Sequence, residues 1–199
     1  MKHIRMIMVV SAVLATIAAT SGFALSHRAA APRTPDAARV NWGDVTIPGQ
    51  LCKVSAPMRL HNGISGSVSH SGFGFPVQAY TTLVTHGNLE PGLAVTTLQV
   101  FCSIPNGTAA SQLAEGIFVF DSPGGAAHLL GTLTPTYLPK TGGHIPYIAV
   151  SHIDTGGHIA TTEYWYAPMN ADCCPTGRAH TVWKWTGHRF VPGHTSVTG

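Results

Sequence analysis

The chain has 199 residues, of which 11 are Lys or Arg and 8 are Asp or Glu, and its formal net charge is +3. Fixed charges make up 10% of the residues, against about 25% in an ordinary soluble domain, which excludes coiled coils and long charged tails. Glycine (22) and proline (14) are abundant, yet 44% of the chain is apolar, which is too much for a disordered protein. The composition indicates a turn-rich globular protein.

The N-terminal residues have the layout of a secretory signal peptide. Lys2 and Arg5 precede an apolar run over residues 6–19, and small residues follow it. This run is shorter than the roughly 20 residues that a membrane-spanning helix needs, so we predict export with cleavage and no membrane span in the mature form. No cysteine lies near the end of the run, so a lipid-modified N-terminal cysteine is not expected there.

Cleavage is predicted after Ala24 or after Ala31, and either cut removes basic residues and leaves a nearly neutral chain. We assign residues 1–24 to the signal peptide and residues 25–39, rich in Ala, Pro and Arg, to a flexible leader. Residues 40–199 are predicted to form a single β-rich, disulfide-stabilised domain. Because the mature chain is nearly neutral, it lacks the electrostatic footprint of a nucleic-acid-binding protein.

Short β-branched and aromatic runs alternate with Gly, Pro and Asn through the rest of the chain, which is typical of strands joined by turns. We predict a mainly β fold, an antiparallel sheet or sandwich, with at most one short helix at Ala109 to Glu115. The alternative prediction is an α+β fold. The predicted strands are Val77 to Val84, Ala94 to Cys102, Gly116 to Asp121, Tyr147 to Ile153, His158 to Tyr166 and His180 to Trp185.

Four cysteines in an exported chain predict disulfide bonds; they are Cys52, Cys102, Cys173 and Cys174. Pairing Cys52 with Cys102 would close a loop of about 50 residues, worth about 4 kcal/mol of loop entropy, and leave the adjacent pair to bond to each other. In the other scheme the adjacent thiols reach Cys52 and Cys102 separately. Both schemes stay open, and no Cys-x-x-Cys motif supports a redox or metal-thiolate role.

The stretch from Tyr166 to Gly177 (YAPMNADCCPTG), followed by Trp183 to Phe190 (WKWTGHRF), resembles the C-terminal signature of small actinobacterial exported proteins, the LppP/LprE-like lipoproteins. Their signature is a Cys-Cys-Pro-Ser-Gly turn followed by a strand that contains Trp. The resemblance covers about 25 residues of the chain and implies export and an extracellular or envelope location. It supplies no catalytic residues, and the absent lipoprotein cysteine suggests a freely secreted form.

The segment from His86 to Val95 (HGNLEPGLAV) is similar to an acidic loop that we associate with the same group. Such a loop would suit calcium, which takes oxygen ligands. Here only Asn88 and Glu90 stand at the candidate ligand positions, beside Pro91. This departure argues against calcium, and we predict no metal and no cofactor.

Histidines are the main candidates for chemistry, since the chain has 12 of them. A hairpin could gather His144, His152 and His158 around Asp154. A secreted hydrolase with this His/Asp site, with or without the assistance of a metal, is the alternative function. The spacing matches no recognised metal-binding motif, and surface histidines are the simpler interpretation. Paired carboxylates such as Asp154 and Glu163 are not singled out by any motif either.

The best candidate binding surface is aromatic, formed by Trp165, Tyr166, Trp183 and Trp185. Such a surface could stack on sugar rings or hold a protein partner, although burial in the core is the simpler explanation of large aromatics in a small β domain. We therefore predict a secreted or envelope-associated binding or structural module with an unknown extracellular ligand, rather than an enzyme.

Overall fold

A computed structural model of the protein describes residues 40–107, 111–138, 145–167, 170 and 174–198, and it consists of two antiparallel sheets. The first sheet contains seven strands in chain order: β1 (Thr46–Ile47), β2 (Met58–His61), β3 (Ile64–Ser65), β4 (Gln78–Glu90), β5 (Leu93–Ser103), β6 (Gln112–Asp121) and β7 (His128–Leu133). The second contains four: β8 (Tyr147–Asp154), β9 (His158–Trp165), β10 (Gly177–Trp185) and β11 (Phe190–Thr198).

The predicted β-rich, sandwich-like fold is confirmed, and all six predicted strands are present with somewhat different ends. Of the helix predicted at Ala109 to Glu115, Ser111 is in a 3-10 turn, but Gln112 to Glu115 belong to β6 instead, and residues 109 and 110 lie outside the described residues. Pairing with β5, which sets Ala114 opposite Cys102, overrides the local preference. Three short 3-10 helices lie wholly within the described ranges, at Trp42–Asp44, Gly49–Cys52 and Pro123–Gly125. No helix in those ranges has the length and apolar character needed to cross a bilayer.

The first hydrophobic core lies between the central strands of the first sheet and the N-terminal segment. Leu98 and Val100 of β5 and Phe118 and Phe120 of β6 face it. The N-terminal residues that cover them are Trp42, Val45, Ile47, Val54, Met58 and Leu60. Trp42 lies 5.7 Å from Phe120 between ring centroids, so the segment before β1 is part of the fold.

The second core lies between the two sheets. The alternate residues of the same strands, Val95 of β5 with Ile117 and Val119 of β6, pack here against the second sheet. The second sheet contributes Ile148 of β8, Ile159 of β9 and Trp183 of β10 to this core. Because β5 and β6 are covered on both faces, their sequences lack the apolar-polar alternation of a half-exposed strand.

Close approach of the sheets depends on a glycine in β4. A Cβ atom at Gly87 would lie 2.8 Å from Cβ of Ile153 in β8, which is closer than real Cβ contacts. Next to this contact, the backbone N–H of Gly157 donates to the carbonyl of Leu89 at 2.6 Å. The turn between β8 and β9 is therefore fixed to the end of β4.

One disulfide bond ties the N-terminal segment to the first sheet. Cys52, in the second 3-10 helix, bonds to Cys102 of β5, and both are completely buried in the first core. This pairing excludes the scheme in which the adjacent cysteines reach Cys52 and Cys102 separately. Cys174 is also disulfide-bonded, and no described cysteine is free. The prediction for Cys173 lies outside the described residues.

Replacing both bridged residues (Cys52→Ala with Cys102→Ala) is expected to lower the free energy of unfolding by about 4 kcal/mol, since the bond closes a loop of 50 residues in the unfolded chain. Urea unfolding followed by tryptophan fluorescence measures the change. An exposed substitution in the same sheet, Thr82→Ala, serves as the control. A double variant as stable as the wild type would contradict this assignment of the disulfide.

Candidate functional site

The four predicted surface aromatics do not share one open face. Trp183 and Tyr166 are 7% and 2% exposed, while Trp165 and Trp185 are half-buried. The Trp183 indole N–H donates to Thr161 Oγ1 at 3.1 Å, inside the sandwich. Burial therefore closes Trp183 and Tyr166 to a ligand.

The two half-buried indoles also pack against the protein. The Trp165 ring occupies the space where a side chain at Gly177 would stand, and it contacts Tyr137 at 5.5 Å between ring centroids. Trp185 contacts Phe190 at 4.8 Å. These indoles pack over the second sheet instead of forming a platform.

Two of the predicted histidine-site residues come together in the turn between β8 and β9. His158 Nδ1 lies 3.2 Å from Asp154 Oδ1, and the backbone N–H groups of Gly156 and His158 donate to the same oxygen. Slight desolvation acts to raise the pKa of Asp154, but these hydrogen bonds outweigh it and hold the pKa below its usual value. The contacts describe a turn closed by a carboxylate.

The remaining members of that predicted site are not gathered with this pair. His152 is exposed and stands opposite Ala160, and His144 lies outside the described residues. In the described part of the chain no group of three or more His, Cys, Asp or Glu is arranged to hold a metal. At the candidate calcium segment, Asn88 and Glu90 simply end β4, and Gly92 makes the turn to β5 with φ +88°.

A row of side chains that the sequence did not reveal crosses the first sheet. Tyr80 of β4, Phe101 of β5 and Glu115 of β6 are directly opposite one another in register, so they share one face. The Tyr80 and Phe101 rings stack at 5.0 Å with 11° between their planes, and both are half-buried. Leu83, 47% exposed, follows on β4. We call Tyr80, Phe101 and Leu83 the aromatic surface.

Amide side chains border this surface and reach the carboxyl group behind it. The Tyr80 hydroxyl donates to Gln78 Oε1 at 2.6 Å. Gln99 Nε2 donates to one oxygen of Glu115 at 2.6 Å, and Gln112 Nε2 donates to the other at 2.8 Å. The surface therefore combines apolar rings with neutral hydrogen-bonding groups.

Glu115 has an unusual electrostatic state, since it is only 5% exposed. Desolvation by burial raises its pKa to about 7, although hydrogen bonds from Gln99, Gln112 and the Ile148 backbone act in the opposite direction. Ile148 belongs to β8, so this hydrogen bond joins the two sheets. Near neutral pH the group divides between a neutral acid and a carboxylate.

A second buried carboxylate, Glu163, lies on β9, the strand that pairs with β8. Glu163 of β9, the register partner of Ile148, is completely buried. It accepts hydrogen bonds from the backbone N–H of Thr136 at 2.9 Å and of Tyr137 at 2.8 Å, and from the Thr181 hydroxyl at 3.0 Å. These bonds hold the segment after β7 on the second sheet. Glu163 therefore has a structural role inside the protein, whereas Asp154 lies in the turn between β8 and β9.

The burial of Glu115 and Glu163 was not predicted, because charged residues are usually exposed. A signal is present in the sequence, since Glu115 and Glu163 interrupt apolar or β-branched runs, LAEGIFVF and ATTEYWY, in a chain with only 8 acids.

Comparison of the chain with protein-family models, curated proteins and solved structures found no match.

The raised pKa of Glu115 predicts that the protein becomes less stable as the pH rises from about 4.5 to about 7. The folded state holds the proton more tightly than the unfolded state, so ionisation favours unfolding across this window. The expected loss is roughly 3 kcal/mol. Urea unfolding at several pH values measures it.

In the Glu115→Gln variant this dependence should disappear, because the side chain no longer titrates. Glu90→Gln, an exposed change in the same sheet, should preserve it. If Glu115→Gln kept the slope of the wild type between these pH values, another group would be responsible.

Proposed function

We propose that the protein is a secreted or envelope-associated β-sandwich that acts as a binding or structural module. The signal-peptide layout of residues 1–24 and the resemblance around Cys173 and Cys174 support export. The buried Cys52–Cys102 bond agrees with it, because structural disulfides are typical of oxidising compartments.

The aromatic surface is the observation that carries the binding role. Phe101 belongs to β5, which is covered on both faces by the two cores, and Tyr80 belongs to β4, which pairs with β5. The backbone of both residues is therefore firmly held. Stacked rings with exposed Leu83 and an amide at Gln78 suit a neutral ligand that has both apolar faces and hydroxyl groups. A sugar chain of the envelope has this chemistry.

Removal of one ring, Phe101→Ala, is expected to weaken binding to isolated cell-wall glycan of the producing organism by up to about tenfold, the value of an aromatic contact. Co-sedimentation of the secreted protein with this insoluble material, over a range of glycan amounts, measures the effect. Phe75→Ala removes another exposed ring and is the matched control. Equal binding by wild type and Phe101→Ala would show that the aromatic surface is not the binding site.

Export itself is tested separately by fractionating the producing cells. The protein should appear outside the cytoplasm with an N-terminus that follows Ala24 or Ala31, which mass spectrometry of the intact protein determines. Non-reducing peptide mapping of the same sample should recover Cys52 joined to Cys102. Intact, uncleaved chain in the cytoplasm with free thiols would refute export.

A further inference from the structure

The outer face of the second sheet carries more basic than acidic side chains. Thr161 and Glu163 of β9 and Thr181 and Trp183 of β10 are buried, so the alternate residues of these strands point outward. Arg178 stands there opposite Tyr164, His180 opposite Thr162, Val182 opposite Ala160 and Lys184 opposite His158. We call this the outer face.

Among the described residues of the second sheet, few acidic groups lie on this face. The four strands of the second sheet contain two carboxylates, Asp154 and Glu163. Glu163 is completely buried on the inner side, and Asp154 is already engaged by His158 and by turn N–H groups. Arg178 and Lys184 are both exposed, so the outer face carries excess positive charge.

Three exposed histidines add charge that depends on pH. His152 lies opposite Ala160, and His180 lies opposite Thr162, whose Oγ1 is 3.1 Å from its Nδ1. His194 of β11 is also exposed, and it lies opposite Val182 in the stretch between Pro192 and Thr195 where the register of the two strands shifts. Imidazole becomes a cation as the pH falls below about 6.5.

Within the four described strands, few acidic side chains could neutralise these histidines. The charged or titratable side chains directed to the outer face from the four strands are Arg178, Lys184, Asp154, His152, His158, His180, His194, Tyr147 and Tyr164. Asp154 is the one acid among them. Acidification therefore raises the positive charge of the face without a matching carboxylate.

Apolar side chains are interspersed with the cations. Val182 is 46% exposed and Val191, opposite Lys184, is 37% exposed. The Arg178 guanidinium lies over the Tyr164 ring at 5.6 Å. Cations mixed with aliphatic and aromatic groups are typical of surfaces that lie on an anionic bilayer, where head groups attract the charges and apolar groups enter the boundary region.

We propose that the outer face docks on the anionic phospholipid surface of a membrane and that protonation of its histidines strengthens this docking. The occupant follows from charge complementarity together with exposed Val182 and Val191. This contact uses a surface different from Tyr80 and Phe101, so it does not depend on the proposed glycan binding.

The expected strength follows from the number of charges. Each cation near an anionic bilayer increases the bound-to-free ratio roughly fivefold, so Arg178 and Lys184 alone give weak binding. Protonation of three histidines is expected to raise the ratio at least tenfold between about pH 7.5 and about pH 5.5.

Vesicle co-sedimentation of the secreted protein tests the proposal. Vesicles of phosphatidylcholine mixed with phosphatidylglycerol should bind the protein more tightly in acid, and vesicles of phosphatidylcholine alone should not. Equal binding to both vesicle types would overturn the proposal. Binding to dextran sulfate in acid without binding to vesicles would overturn it as well, by showing that the face takes a polymer.

Variants assign the effect to the face. The combined change His152→Asn, His180→Asn and His194→Asn should abolish the gain in acid. The matched control, His61→Asn with His70→Asn and His128→Asn, removes three exposed histidines outside the second sheet and should preserve it. Unfolding curves verify that both variants fold. A full gain in acid in the first variant, or its loss in the control, would refute the assignment.

Phe101→Ala separates this proposal from the glycan-binding role. That variant should bind anionic vesicles as the wild type does, because Phe101 lies on the first sheet. Loss of vesicle binding in Phe101→Ala would show that lipid meets the aromatic surface and would refute docking through the outer face.

Discussion

Burial of β5 and β6 on both faces is the constraint on which the rest of the structure depends. Even-numbered residues such as Leu98 and Phe118 face the N-terminal segment, and odd-numbered residues such as Val95 and Ile117 face the second sheet. Two separate cores therefore share one pair of strands. Detachment of either the N-terminal segment or the second sheet would expose one apolar face of that pair. The Cys52–Cys102 bond fastens the N-terminal layer, which consists of short strands and 3-10 helices, to β5.

The two buried carboxylates follow from this layered arrangement. Glu115 points from the first sheet toward the second and accepts a hydrogen bond from the backbone of Ile148, while Glu163, opposite Ile148, fixes the segment after β7. Polar groups inside a sandwich restrict how the sheets can slide, because each hydrogen bond must find its partner again. They also remove negative charge from the surface. In the part of the chain that the structure describes, the second sheet thereby acquires a cationic face, although the composition of the chain alone argues against charge-driven contacts.

The strands could be predicted from the sequence because runs such as AVTTLQVFC are rich in β-branched and aromatic residues and end at turns. The helix predicted at Ala109 to Glu115 could not be judged locally, since pairing of β6 with β5 decides the conformation of Gln112 to Glu115. The aromatic surface was also out of reach: Tyr80 and Phe101 are 21 residues apart, and only the register of β4 and β5 sets them side by side. Conversely, Trp183 and Tyr166, which looked suited to a surface, are buried.

The sequence by itself determined that the chain forms a turn-rich β protein, because local preferences for strands and turns act over a few residues. It left the partner of Cys52, the positions of the eight acids and the identity of the exposed aromatics undecided. Only the tertiary structure settled these for the residues it describes, because each depends on strand register and on which layer covers which face. A shift of one residue in the register would move every side chain of a strand to the opposite face. In β9, Glu163 would then be exposed and the residues of the outer face would be buried.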